Sequence, residues 1–325
     1  MERPESEKGT THTNMMEHDP LLGVEIQFSN MSFPVKAVID TGAPSSTINL
    51  ELAEKLGWQL RSGRPLLVAS PDGSIVESCK IVSAPFTMGA DESRKFQIVA
   101  NVIPTSYPIR LGLSWLRQNR FKINPIKRTL DQSDYSVECT FYSENLSKIP
   151  LELWEKRGNK GQTGNNRQQH NDSQDVLTSA PEPGEQPQDK GKPHITPPAI
   201  DPKLILDIQF SKSSFPVKAL IDTGSSGCIV STTIAEKIGI TGVPPIPSAC
   251  TPFDATQLKS TGVAFGTFTI GANFDRKFEL RGDILPSSRE CILGLSWLRQ
   301  NGFIINPMTR TLEGPDYLIR CGIEK

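Results

Sequence analysis

Displaced by 182 positions, the 325-residue chain repeats itself. Ile26 falls on Ile208, Phe33 on Phe215, Asp40 on Asp222, Gly89 on Gly271, Gly112 on Gly294, Pro125 on Pro307 and Cys139 on Cys321, with no net insertion between these landmarks. SFPVKAVIDTG (32–42) matches SFPVKALIDTG (214–224) at 10 of 11 positions, and the 20 residues from Leu111 match those from Leu293 at 16. The long period excludes a solenoid, whose repeats run to about 20–50 residues. The repeated unit is about 115–125 residues, the size of one small domain. Between the units the composition shifts to Gln, Asn, Gly, Pro and charge, as in RGNKGQTGNNRQQHNDSQ and PEPGEQPQDKGKP. Such a stretch cannot bury enough apolar area to offset the entropy of ordering it. The predicted organisation is a disordered tail (1–19), a first domain (20–147), a disordered linker (148–200) and a second domain (201–325).

Within each unit the local pattern is that of strands. VEIQF, FPVKAVID, FTMG and FQIVANVI in the first unit, and LILDIQF, AFGTFTIG and KFELRGDIL in the second, are short runs rich in Val, Ile and Phe, bounded by Pro, Gly, Asp and Ser. Two segments per unit have helical spacing: LELAEKLGW with its counterpart TTIAEKIGI, and LSWLRQN, which occurs in both. Pro71-Asp72-Gly73 predicts the turn of a β-hairpin, and the matching Phe253-Asp254-Ala255 is a weaker turn signal. The expected class is all-β.

Composition removes several functions. A hydrophobic content of 36% fills cores, and no uncharged apolar run of about 18 residues is available to cross a membrane. With 35 basic against 36 acidic side chains there is no global field to gather nucleic acid or anionic lipid, so neither is expected as a partner. MERPESEKGTTHTNMMEHDP lacks the apolar core of a signal peptide, which predicts a cytoplasmic or nuclear protein that is not secreted. In that compartment the Asn-x-Ser sites at Asn30, Asn145 and Asn171 carry no glycan. Cys79, Cys139, Cys228, Cys250, Cys291 and Cys321 include no Cys-x-x-Cys pair and are expected to be free, buried thiols.

The chemistry-bearing residues inside the units are few. His12, His18, His170 and His194 all fall in the tail or linker, so no imidazole is available for a Ser-His-Asp or Cys-His nucleophile, and no zinc-hydrolase motif is present. GNKGQTG lacks the Gly-Lys-Ser/Thr spacing of a phosphate loop, and Arg281-Gly282-Asp283 is read as coincidence. What remains is one Asp-Thr-Gly per unit, each closing an apolar run that sets the carboxylate at a strand end. An ordinary turn, with Asp accepting a backbone bond and Gly at positive φ, explains one such tripeptide, and duplication alone would copy it.

The surroundings of both tripeptides carry more information. The first unit has Val38-Ile39-Asp40-Thr41-Gly42-Ala43 followed by Thr47-Ile48, and the second has Leu220-Ile221-Asp222-Thr223-Gly224-Ser225 followed by Ile229-Val230. Later come Leu111-Gly112-Leu113-Ser114-Trp115-Leu116 and Cys291-Ile292-Leu293-Gly294-Leu295-Ser296-Trp297-Leu298. In this combination the chain resembles the retropepsins, especially the aspartic proteases of gypsy-type LTR retrotransposons and their domesticated cellular relatives. The resemblance covers both units, about three quarters of the chain. One position departs from the pattern: Arg110 stands where the family has an apolar residue and where the second unit has Ile292. An arginine in such a core position tilts its stem toward solvent or costs stability.

The resemblance implies two tandem retropepsin-like, acid-protease β-barrel domains, each with one short helix near its C-terminal part. It implies Asp40 and Asp222 as the catalytic pair, with no cofactor and no metal. Thr41 and Thr223 would brace the two loops, Gly42 and Gly224 would permit their close approach, and Ala43 and Ser225 would complete them. Asp72, Gly73 and Asp254 would belong to hairpin flaps. The substrate would be a peptide or protein. Two carboxyls about 3 Å apart share one proton, so that one accepts a proton from water while the other donates to the peptide carbonyl. A flexible linker of about 50 residues spans roughly 40 Å, enough for the two units to pair within one chain at a local concentration near millimolar. Pairing between chains, as a homodimer, satisfies the same chemistry. Two further readings fit these residues: a non-catalytic domesticated scaffold or binding protein, and a transposon-derived protease acting only on its own polyprotein.

Overall fold

The computed structural model describes residues 21–29, 31, 33–69, 75–89, 91, 93–105, 107–142, 201–240, 242, 249–250, 258–271 and 276–324. The tail and linker expected to be disordered lie outside these residues, as do all four histidines. The first half runs β1 (Leu21–Phe28), β2 (Val35–Asp40), β3 (Thr47–Asn49), α1 (Leu50–Lys55), β4 (Arg61–Ala69), β5 (Ile75–Met88), β6 (Lys95–Ile103), β7 (Ile109–Gly112), α2 (Leu113–Gln118), β8 (Lys122–Asn124), β9 (Thr129–Asp131), β10 (Ser136–Glu138) and β11 (Thr140–Tyr142). The second runs β12 (Lys203–Phe210), β13 (Val217–Ile221), β14 (Cys228–Ser231), α3 (Thr232–Lys237), β15 (Ala249–Cys250), β16 (Leu258–Lys259), β17 (Gly262–Ile270), β18 (Lys277–Leu285), β19 (Cys291–Leu293), α4 (Leu295–Gln300), β20 (Ile304–Asn306), β21 (Thr311–Glu313), β22 (Leu318–Arg320) and β23 (Gly322–Glu324).

The fold is all-β, with two six-residue helices in each half among the described residues. The helices near the C-terminal parts are the LSWLRQ segments, and the other pair comes from LELAEK and TTIAEK. Asn49 and Ser231 start that second pair, their side chains accepting the N–H groups of Leu52 and Ile234 at 3.0 and 3.2 Å, which satisfies donors a helix end leaves unpaired.

Each half is a barrel-like sheet. In the first the order is β11-β1-β2-β7-β3-β6-β5-β4, and pairing of β1 with β5 (Ile26 opposite Met88) curls the sheet back on itself. In the second the order is β13-β19-β14-β18-β17-β12-β23, closed by β12 with β13 (Ile205 opposite Leu220). A third sheet crosses between the halves in the order β10-β9-β8-β20-β21-β22, joined where Ile123 faces Ile305. Lys122 and Glu313 form an ion pair across this seam at 2.9 Å. Arg117 pairs with Asp201, and the Arg299 guanidinium lies 4.6 Å over the Phe141 ring. Both halves thus belong to one compact unit.

The cores repeat in the register of the sequence. Phe86, Phe96, Trp115, Phe121 and Tyr135 form one aromatic cluster, and Phe268, Phe278, Trp297, Phe303 and Tyr317 form its equivalent. Each buried tryptophan donates its indole N–H to a strand carbonyl, Trp115 to Gln97 at 3.0 Å and Trp297 to Glu279 at 3.1 Å. That bond lets an aromatic with a polar edge occupy a core without an unsatisfied donor. Cys139, Cys228, Cys291 and Cys321 are free and buried as expected, and burial raises all four thiols well above their ordinary range. Cys79 departs from that expectation by being exposed, because it sits on the outward side of β5.

The two halves differ at the turn after the LSWLRQ helices. Gly302 has φ 71°, which costs glycine nothing, whereas its counterpart Arg120 is forced to φ 58°. A side chain in the left-handed region carries a penalty of about 1–2 kcal/mol, partly offset by the lower unfolded-state entropy of a non-glycine residue. Arg120→Gly is therefore expected to stabilise the chain by roughly 0.5–1 kcal/mol, read as a higher urea midpoint at unchanged slope.

Candidate active site

The site begins with strand order. β7 lies between β2 and β3, parallel to β2 with Asp40 opposite Gly112, and β19 lies likewise between β13 and β14. Because the neighbouring place is already filled, the chain leaving Asp40 must loop over the end of β7 before returning as β3. The Asp-Thr-Gly segment is that loop. Its carbonyls then do a second job. Ala43 and Pro44 accept the N–H groups of Leu113 and Ser114 at 2.8 and 3.3 Å, and Ser225 and Ser226 accept those of Leu295 and Ser296 at 2.8 and 3.1 Å. Helices α2 and α4 start at glycines without side-chain caps, so the loops supply the missing acceptors. This links the two sequence blocks of each unit: the Leu-Gly-Leu-Ser-Trp-Leu helix fixes the loop that presents the aspartate.

The loops of the two halves meet face to face. The Thr41 hydroxyl donates to the Ile221 carbonyl at 2.9 Å and accepts the Thr223 N–H at 3.0 Å. Reciprocally, the Thr223 hydroxyl donates to the Ile39 carbonyl at 2.7 Å and accepts the Thr41 N–H at 3.1 Å. Both threonines are fully buried. A methyl group at Gly42 would stand 2.4 Å from Cγ of Asp222, and one at Gly224 would stand 2.5 Å from Cγ of Asp40. Only glycine leaves room for the opposing carboxyl.

Asp40 and Asp222 are thereby brought together, each carboxyl lying over the glycine of the opposite loop. Asp40 is 4% exposed, and its Oδ1 accepts the Ala43 N–H at 2.9 Å. Asp222 Oδ1 accepts the Gly224 N–H at 2.8 Å. Ser225 supports its own loop, its N–H reaching the Asp222 carbonyl at 3.3 Å and its hydroxyl donating to Gly227 at 2.8 Å. Burial first, and the charge of Asp40 second, raise Asp222 from an ordinary 3.8 to about 7, against the opposing effects of the Gly224 N–H and Arg110.

Arg110 neither tilts into solvent nor sits bare in the core. Its Nη1 lies 3.1 Å from Oδ2 of Asp40, and its guanidinium rests 4.5 Å over the Tyr107 ring. The side chain is 13% exposed. At the same place in the second half Ile292 packs with Ile205, Leu220, Ile229 and Leu285. The flap residues Asp72, Gly73 and Asp254 lie outside the described residues. The strands that flank them pair as hairpins, Ala69 opposite Ile75 and Ala249 opposite Lys259. Among the described residues no group of three or more His, Cys, Asp or Glu side chains is placed to hold a metal. Nor is any helix among them long and apolar enough to cross a membrane.

Residues 24–115 match the sequence model of a family described as aspartyl protease. No curated protein matches the chain. Among solved structures the chain is similar to the retroviral protease-like domain of Ddi1 from Leishmania major, at 17% identity and a TM-score of 0.30, over 38% of this chain and 98% of that one. It is also similar to Basic 7S globulin from soybean, at 8% identity and a TM-score of 0.39, over 89% of this chain and 92% of that one.

Two outcomes follow from the geometry. Thr223→Val removes the partner of the Thr41 N–H and of the Ile39 carbonyl, each left buried at about 1–3 kcal/mol, so a urea midpoint well below wild type is expected, whereas Thr223→Ser stays close to it. The second concerns pH. Folded Asp222 keeps its proton between about 4 and 7, where an unfolded aspartate has lost it. The unfolded state then binds fewer protons, so this group's contribution is full at low pH and is lost as pH rises through about 7. The difference in unfolding free energy between wild type and Asp222→Asn should shift in favour of the variant across that window.

Proposed function

We propose that the chain is an aspartic endopeptidase whose two catalytic carboxyls, Asp40 and Asp222, come from the two halves of one molecule. The observation that carries this reading is the reciprocal Thr41–Thr223 hydrogen bonding, which sets two Asp-Thr-Gly loops against each other with each carboxyl over the opposite loop's glycine. The aspartyl protease match over residues 24–115 supports it. The chemistry needs two carboxyls facing one water. One takes a proton as the water oxygen attacks the peptide carbonyl carbon, and the protonated partner donates to the carbonyl oxygen. No step calls for a metal or cofactor. We read the Leu-Gly-Leu-Ser-Trp-Leu blocks as a sign of gypsy-type ancestry, and the 182-residue register as a tandem duplication of a protease unit. In this reading the substrate is a peptide or protein segment lying across both loops.

A second reading, a scaffold or binding protein that keeps the fold without turnover, is favoured by one observation: the ion pair of Arg110 with Asp40. Cleavage of a mixed peptide library between about pH 4 and 8, with molecular mass measured in the same buffers, separates the two. The endopeptidase reading predicts cutting by a monomer, falling away as pH rises through about 7 with the loss of the Asp222 proton. Asp40→Asn and Asp222→Asn should each lower the rate by roughly 10²- to 10⁴-fold. A folded wild type that cuts nothing at any pH makes the scaffold reading the correct one.

A further inference from the structure

We propose that Arg110 is a positioning residue that makes the two carboxyls unequal, holding Asp40 as the charged member of the pair and leaving the shared proton on Asp222. The inference rests on the dyad reading for the chemistry it assigns, and on geometry for the asymmetry itself. The two loops share Asp-Thr-Gly and differ in the four residues that follow, APSS against SSGC, yet each carboxyl accepts one backbone N–H of its own loop, from Ala43 for Asp40 and from Gly224 for Asp222. None of the differing loop residues is charged, and the difference in charge comes from the neighbouring strand. β7 presents Arg110, 3.1 Å from Asp40, and β19 presents Ile292, which is sealed in an apolar cluster. A cation in contact with one carboxyl favours its charged form. Two carboxyls in contact hold one proton between them, so a cation on one side decides where that proton rests.

The guanidinium is itself held in place. Its carbon lies 4.5 Å over the Tyr107 ring while Nη1 reaches Asp40, so the charge is held from two sides. The other cation that faces the pair acts without an ion-pair contact to either carboxyl. Lys203 on β12 is attracted by both carboxyls, by Asp222 more than by Asp40, and it lies beside Arg289 and Glu324, which pair with each other. Desolvation, acting first, and the adjacent Arg289 both lower the Lys203 pKa.

The asymmetry assigns the two roles. Asp40 takes a proton from water as the O–H bond breaks and the water oxygen bonds to the carbonyl carbon. The carbonyl π pair moves onto oxygen, which takes the proton from Asp222. The resulting diol sits between a protonated Asp40 and a charged Asp222. Asp40 then gives its proton to the leaving nitrogen as the C–N bond breaks, and a diol hydroxyl returns a proton to Asp222, restoring the starting state. Arg110 touches Asp40 and not the reacting atoms, so it acts through that carboxyl.

The test follows the carboxyls of ¹³C-aspartate-labelled protein by NMR from pH 4 to 8, with Asp40→Asn and Asp222→Asn used for assignment, in wild type, Arg110→Ile and Arg110→Lys. Isoleucine is the residue the second half carries at this position, and lysine keeps the charge. The proton taken up by the wild-type pair should appear on Asp222. In Arg110→Ile it should be shared by both carboxyls, and the acid limb of any cleavage profile should move up by about one pH unit or more. Arg110→Lys should restore the wild-type order. If Arg110→Ile leaves both titrations as in wild type, or if wild type places the proton on Asp40, the inference is wrong. The titrations need no turnover, so a chain that cuts nothing counts against the endopeptidase reading while the NMR result still decides the role of Arg110.

Discussion

Thr41 and Thr223 are shut off from water, and the partners of their hydroxyls all come from the opposite half of the molecule. Separating the halves strands two hydroxyls, two amides and two carbonyls, an arrangement a folded chain rarely leaves unsatisfied. Everything distinctive about the site follows from this contact. It sets the loops close enough that Gly42 and Gly224 admit no side chain, and it brings two carboxyls together that would otherwise be separate surface groups. The shared sheet between β8 and β20 adds a second seam, but the threonines are what aim the aspartates at one another.

A site made from two units of one chain has a freedom that a symmetric pair lacks. In a homodimer any substitution beside the carboxyls occurs twice, so an arginine at position 110 would bring two guanidiniums to one dyad. Within a single chain the two halves can carry different residues at equivalent positions. Here one presents Arg110 to Asp40 and the other keeps Ile292 in the core. An ion pair in a buried place recovers little net stability after desolvation, so its value lies in what it does to the carboxyl beside it.

Much of the fold was open to reading from the residues. Apolar runs bounded by turn residues, such as VEIQF and LILDIQF, marked β1 and β12, which bury most of their residues, and the helical spacing of LSWLRQ marked α2 and α4. The meeting of the two Asp-Thr-Gly loops was expected from the resemblance. Other features were hidden for physical reasons. The three-residue strands of the shared sheet are too short to carry a period, and the pairing of Ile123 with Ile305 is a long-range choice. Loop carbonyls that cap α2 and α4 are backbone groups, which sequence does not display. Arg110 looked like a misplaced core residue. Only the side-by-side packing of β2 and β7 shows that its stem runs beside the strand ending in Asp40.

The central claim is that one chain contains one complete site. It is tested most directly by mixing the Asp40→Asn chain with the Asp222→Asn chain, beside a wild type that cuts at the same concentration. If the halves pair within the molecule, the mixture stays as inactive as either variant alone over a wide range of dilution. Recovery of cleavage in the mixture, growing with concentration, would show that the carboxyls come from different chains and would contradict the account.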